Sequence, residues 1–194
     1  MTTAVLPKTI PELVQRSADL WPDATAIIDL DRRLTFAELH RETVELATRL
    51  SAVGVRRGGR VAIWMGNSVD WVLADLAVEL LGATVVPVNI QFSPDEVRYV
   101  LEQSRSDTLV MDGHFRERDL RSELSAFSGQ LADLRTTIVH DVASPVTSTD
   151  GQVSWSELLA SDLDGELERS ASPDAVAYIL YTSGTTSFPK GVQL

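Results

Sequence analysis

The sequence predicts an α/β protein, a layered parallel β-sheet flanked by helices, on three observations. Short β-branched or apolar runs recur along the chain, most are followed by a segment whose apolar residues fall at steps of three and four, and helix-capping residues stand at the junctions. Strands that alternate with helices pair in parallel through crossover connections.

Ile10 to Leu20 carries Ile10, Leu13, Val14 and Leu20 at helical spacing behind Thr9 and Pro11, a cap and an early-helix proline. Ala24 to Asp29 and Arg33 to Thr35 read as a hairpin around an acidic turn. Thr35 and Glu38 then form a capping box, each side chain satisfying a backbone N–H of the first turn. Phe36, Leu39, Thr43, Leu46, Leu50 and Val53 make one apolar stripe that ends at Gly54.

Arg60 to Met65 is apolar at every position after the first, as a strand covered on both faces is. Asn67 or Ser68 caps the next helix, which has little polar face from Trp71 to Leu81 and stops at Gly82. Thr84 to Val88 is a β-branched strand, and Ser93, Pro94, Asp95 and Glu96 open another helix. Thr108 to Met111 and Thr137 to His140 add strands, with a helix expected over Glu117 to Phe127 between them. From Val142 to Pro173 the pattern weakens, and the run Asp162, Asp164, Glu166 and Glu168 suggests a solvated excursion. Order is expected to resume in a compact buried strand from Ala175 to Tyr181.

Composition narrows the function. The 194 residues are 44% hydrophobic and 23% charged, globular proportions that leave no room for general disorder or a fibrous repeat. A net charge of -11 repels nucleic-acid phosphates and anionic lipid, so no nucleic-acid partner is expected. The absence of Cys excludes a disulfide framework, a thiolate zinc site and a thiol nucleophile. No signal peptide or transmembrane run is visible, which makes the cytoplasm the expected compartment. His40, His114 and His140 read as structural or solvated, and Trp21, Trp64, Trp71 and Trp155 as core or interface anchors.

Chemistry concentrates in the loop after the last strand. Thr182, Ser183, Thr185, Thr186 and Ser187 supply hydroxyls that rotate to donate, Gly184 and Gly191 let backbone N–H groups approach closely, and Lys190 adds a point charge on a long stem. Together they form a polyphosphate grip, against the plainer alternative of a Ser/Thr-rich surface loop. A Walker A loop is excluded, because Lys190 follows Pro189 and precedes Gly191 and Val192. A hydrolase nucleophile elbow is excluded as well, since Tyr181 and Thr185 flank Ser183 where glycines would have to be.

Tyr181 to Val192 resembles the phosphate-binding signature of the adenylate-forming superfamily, which includes acyl-CoA synthetases, luciferases and peptide-synthetase adenylation domains. Leu34 to Leu39 is similar to the family's early LTYxEL segment, and Gly54 to Asn67 with Trp71 and Val72 to the stretch after it. Leu81 to Ala83 through Val86 to Asn89 is similar to a later GA…VPxN segment. The matches keep the family's order over most of the chain. Ser187 departs from the pattern, standing where the family usually has Gly and restricting the backbone there.

The resemblance implies the N-terminal part of the adenylate-forming synthetase fold, with residues 1–174 as an α/β subdomain and 175–194 opening the next segment. It implies that the parent is an AMP-forming acid-CoA ligase taking a small-molecule carboxylic acid, ATP, Mg2+ and CoA. The alternatives are an adenylating enzyme that loads a carrier protein and a non-catalytic binding module. The implied nucleotide-binding residues are Thr182, Ser183, Gly184, Thr185, Thr186, Ser187, Lys190 and Gly191, with no acid, base or metal ligand assigned. As an N-terminal fragment the chain is expected to be inactive alone, and either to self-associate or to leave Ser183 to Leu194 mobile.

Overall fold

A computed structural model describes residues 6–30, 32–140, 151–162, 167, 169–182 and 189–194. Helix α1 (Ile10–Leu20) starts where Thr9 accepts from the Glu12 N–H, and a hairpin follows from β1 (Thr25–Asp29) and β2 (Arg32–Thr35). Both halves of the Thr35–Glu38 capping box form at the start of α2 (Phe36–Ala52). Strand β3 (Arg60–Trp64) leads through Ser68, the cap actually used, into α3 (Val69–Leu80). Strand β4 (Thr84–Pro87), α4 (Pro94–Ser104) and β5 (Thr108–Asp112) follow, α4 again opened by a complete capping box, Ser93 with Glu96.

Beyond β5 the structure corrects three expectations. The helix expected over 117–127 is shorter: a small hairpin of β6 (His114–Phe115) and β7 (Arg118–Asp119) takes up its start, and Asp119 caps α5 (Leu120–Ser125). Arg118 accounts for the difference, because its guanidinium is drawn inward to the Ile90 and Phe92 carbonyls and pairs with both Glu123 oxygens.

The expected solvated excursion contains ordered structure. After β8 (Thr136–His140), β9 (Gln152–Ser154) adds to the sheet, and Ser154 caps α6 (Trp155–Ala160), which buries Trp155 and Leu158. The acidic residues Asp164, Glu166 and Glu168 of that run lie outside the described residues.

The last strand is also not the compact buried strand expected over 175–181. Strand β10 (Ile179–Thr182) pairs antiparallel with β11 (Lys190–Gln193), and Ile179 is its buried residue. Trp21 is 58% exposed and so anchors no core, whereas Trp64 and Trp155 do.

Five of the described strands form a parallel sheet in the order β4-β3-β5-β8-β9. Alternation along each strand divides the core in two. Val61, Ile63, Val85, Val110 and Ile138 pack with α2, α3 and α6, and Ala62, Trp64, Val86, Leu109, Met111 and Val139 with α4 and α5. Full burial of each large side chain contributes roughly 1.5–3 kcal/mol, so both helix layers are held by many such terms. Among the described residues no helix is long and apolar enough to cross a membrane.

Candidate functional site

In an open α/β sheet, ligands bind outside the carboxyl ends of the strands, where neighbouring strands send their connections to opposite faces. Here that point lies between β3 and β5, since α3 packs on one face and α5 on the other. It is filled by the protein's own groups. The Gly66 N–H after β3 donates to Asp112 Oδ2 at 2.7 Å, and Phe115 lies across Gly66. His140, at the end of β8, sits between two carboxylates, with Nδ1 2.8 Å from Asp112 Oδ1 and Nε2 3.2 Å from Asp70 Oδ2. The Trp155 and His140 rings meet edge to face, and Arg32 pairs with Asp70.

The pKa of His140 reflects this setting. Burial alone would lower it, but hydrogen bonds and charge from Asp112 and Asp70 overcome that and raise it to about 9. In return, the His140 hydrogen bond holds Asp70 below the usual carboxylate range, Arg32 adding to the effect. Both ring nitrogens of His140 are thus engaged by the protein's own carboxylates. His114 is half exposed in the small hairpin.

Open space lies to one side of this plug. A crevice of about 560 Å³ opens at the carboxyl ends of β3, β4 and β10, with Met65, Trp71 and Phe92 as apolar walls and Asn67, Asn89 and Thr182 as polar ones. Strand β10 delivers Thr182 to it. Directly across the hairpin from Thr182 is Lys190, so the loop between them closes on a neck carrying a hydroxyl and an ammonium. Both neck residues are exposed. Ser183, Gly184, Thr185, Thr186 and Ser187, the rest of the expected grip, lie outside the described residues.

Gly191 has a packing role at this neck. It sits opposite Tyr181, and a Cβ there would come within 3.0 Å of Ile179 Cγ2 and 3.1 Å of Tyr181 Cζ. The glycine lets the Tyr181 ring fold across the hairpin and its hydroxyl donate to Gln103 on α4. Among the described residues no three His, Asp or Glu side chains converge as a metal site.

Two clusters were not singled out from the sequence: the His140 plug, and a pair of buried acids on α3, Asp75 and Glu79. A signal for the acids was present, since they stand four residues apart in a helix that is otherwise apolar from Trp71 to Leu80. The plug had none, because its members come from positions as far apart as Arg32 and His140.

Known proteins share both the sequence pattern and the fold. An AMP-binding enzyme family model matches residues 14–194. The 3-[(3aS,4S,7aS)-7a-methyl-1,5-dioxo-octahydro-1H-inden-4-yl]propanoyl:CoA ligase of Rhodococcus jostii (strain RHA1) is 36% identical over 96% of this chain, which spans 37% of that relative's length. Among solved structures, the o-succinylbenzoate coenzyme A synthetase of Bacillus subtilis in complex with AMP is 31% identical, with a TM-score of 0.71 over 93% of this chain and 41% of that one. The anthranilate CoA ligase AuaEII shares the fold at a TM-score of 0.80, covering 100% of this chain and 36% of its own at 24% identity. With a parallel sheet flanked by helices and a family match that runs through the loop hairpin, this chain belongs to the AMP-binding enzyme family.

Proposed function

We propose that the protein carrying this chain is an AMP-forming carboxylic acid-CoA ligase, and that the loop from Thr182 to Gly191 holds the triphosphate of ATP. The observation that carries the reading is the neck of the hairpin, where Thr182 lines the crevice and Lys190 is its register partner. Both side chains donate, as a polyphosphate requires, and Lys190 supplies local positive charge on a chain whose net charge is -11. The Bacillus subtilis synthetase, solved with AMP, supports the nucleotide, and the Rhodococcus ligase supports CoA as the acceptor.

A carboxylate oxygen would attack the α-phosphorus while the bond to the β-phosphate breaks, giving an acyl-adenylate and pyrophosphate. The CoA thiol, losing its proton, would then attack the acyl carbon and release AMP. Lys190 and the loop hydroxyls would hold the β- and γ-phosphates through the first step and stabilise the leaving pyrophosphate. Mg2+, when bound, would offset part of the triphosphate charge. Residues 1–174 act as one subdomain in this reading and 175–194 open the next, supported by the antiparallel pairing of β10 with β11 as a two-stranded sheet of its own, joined to β4 by a bridge at Val85.

The test is acid-dependent exchange of labelled pyrophosphate into ATP by the protein that carries this chain. Exchange that needs both a carboxylic acid and magnesium is the expected result, with the 194 residues alone showing none. Release of phosphate without exchange, across a broad panel of acids, would overturn the reading.

A further inference from the structure

Asp75 and Glu79 lie one turn apart on α3, 7% and 5% exposed. The Tyr178 hydroxyl donates to Asp75 Oδ2 at 3.0 Å and also acts on Glu79, whereas Asp75 Oδ1 and both Glu79 oxygens are buried with no partner at hydrogen-bond geometry. Tyr178 immediately precedes β10, and its neighbourhood docks that strand onto the sheet. The Val85 N–H donates to the Ala177 carbonyl at 2.8 Å, the Thr84 hydroxyl donates to the Val176 carbonyl at 2.9 Å, and Tyr178 bridges to Val85. The segment that leads into Thr182 is thus fastened to β4 by main-chain bonds and to α3 by one phenol on a buried acid pair.

We propose that Tyr178, Asp75 and Glu79 form a positioning latch that sets how the β10–β11 hairpin sits on the sheet, closed when the acid pair holds a proton and loosened when both carboxyls are charged. That this hairpin carries a phosphate loop rests on the reading above; the latch itself does not.

The electrostatic argument starts from the neighbours. Asp75, Glu79 and Tyr178 act on one another, Lys8 shares with Glu79 the lining of a cavity of about 190 Å³, and the Leu194 main-chain carbonyl accepts from the Ala177 and Tyr178 amides. No described base pairs with either acid. Burial raises Asp75 to about 6, and burial with the nearby Asp75 charge raises Glu79 to about 7, in both cases against the smaller downward pull of the Tyr178 hydroxyl. Near neutrality one carboxylate can accept from Tyr178 while Glu79 keeps its proton. As pH rises through about 7 a second unpaired charge must be carried in the same apolar layer. Lifting the 176–178 segment admits water to both acids, and that is the motion which relieves the cost.

Amide hydrogen exchange of the protein that carries this chain reads the latch directly. The Val85 N–H reports docking of the segment, and the Val110 N–H, in the middle of the sheet between β3 and β8, reports the fold as a whole. Corrected for intrinsic rates, Val85 protection should fall about tenfold or more from pH 6 to pH 8 while Val110 holds. Glu79→Gln should keep Val85 protection within about threefold across the same range, and Tyr178→Phe should lower it at both pH values. A flat wild-type profile, a Glu79→Gln profile that follows the wild type, or Val85 and Val110 falling together would overturn the latch. No nucleotide is present in the measurement, so a failure to bind ATP would count against the proposed function alone.

Discussion

Replacing His140 by Gln tests the plug at the switch point, and the signature is a pH dependence. His140 has an ordinary value of 6.5 and is raised to about 9 in the fold, by hydrogen bonds and charge from Asp112 and Asp70 that outweigh burial. A group raised in this way contributes stability that is present in full below 6.5 and is lost as pH rises through about 9. Each tenfold gain in proton affinity on folding is worth about 1.4 kcal/mol, and linkage then gives roughly 3 kcal/mol near pH 6, falling below about 1 kcal/mol by pH 9. The side chain is only 12% exposed, so solvent screens little of this. Gln can donate one bond to one carboxylate and carries no charge, so the variant loses the pH-dependent part. Urea unfolding of wild type and His140→Gln, followed from pH 6 to pH 9.5, should show a stability gap that narrows by roughly 3 kcal/mol over that range. Groups that titrate alike in both proteins cancel in the difference. A gap that stays constant with pH would show that His140 is not held as an imidazolium between the two acids, and the account of the plug would fail.

Two further outcomes concern the hairpin. Lys190→Ala removes an exposed side chain, so melting should hardly move, while affinity for ATP in the protein that carries this chain should fall roughly ten- to a hundredfold by calorimetry; unchanged affinity would place Lys190 outside the nucleotide site. Gly191→Ala puts a methyl against Ile179 and Tyr181 and should cost about 1–2 kcal/mol in unfolding, with loss of the Tyr181 contact to Gln103 seen as a change in tyrosine fluorescence. A neutral effect would mean that the Tyr181 ring does not lie over position 191.

What the sequence determined by itself is local or periodic. The capping boxes at Thr35 and Ser93 act between residues three apart, and the stripe from Phe36 to Leu50 reflects the helix repeat, so both could be read without any fold. The same holds for the β-branched strands on both sides of α3 and for the hydroxyls, glycines and lysine between Thr182 and Gly191, which are contiguous in the chain. Tertiary structure decided the rest, because the deciding contacts join residues far apart. Burial of Trp155 made an ordered strand and helix of a stretch whose composition suggested solvent. Arg118, drawn inward to the Ile90 and Phe92 carbonyls, turned the start of a helix into a hairpin. Gly191 looked like a point of close approach to phosphate, and the fold gives it an aromatic ring to accommodate. Above all, general α/β topology places a ligand between β3 and β5, and only the meeting of Asp70, Asp112 and His140 there closes that position and leaves the open crevice beside β4 and β10. Burying an imidazolium is favourable only with both carboxylates in contact, a condition set by three separate elements packing together and by no one stretch of sequence.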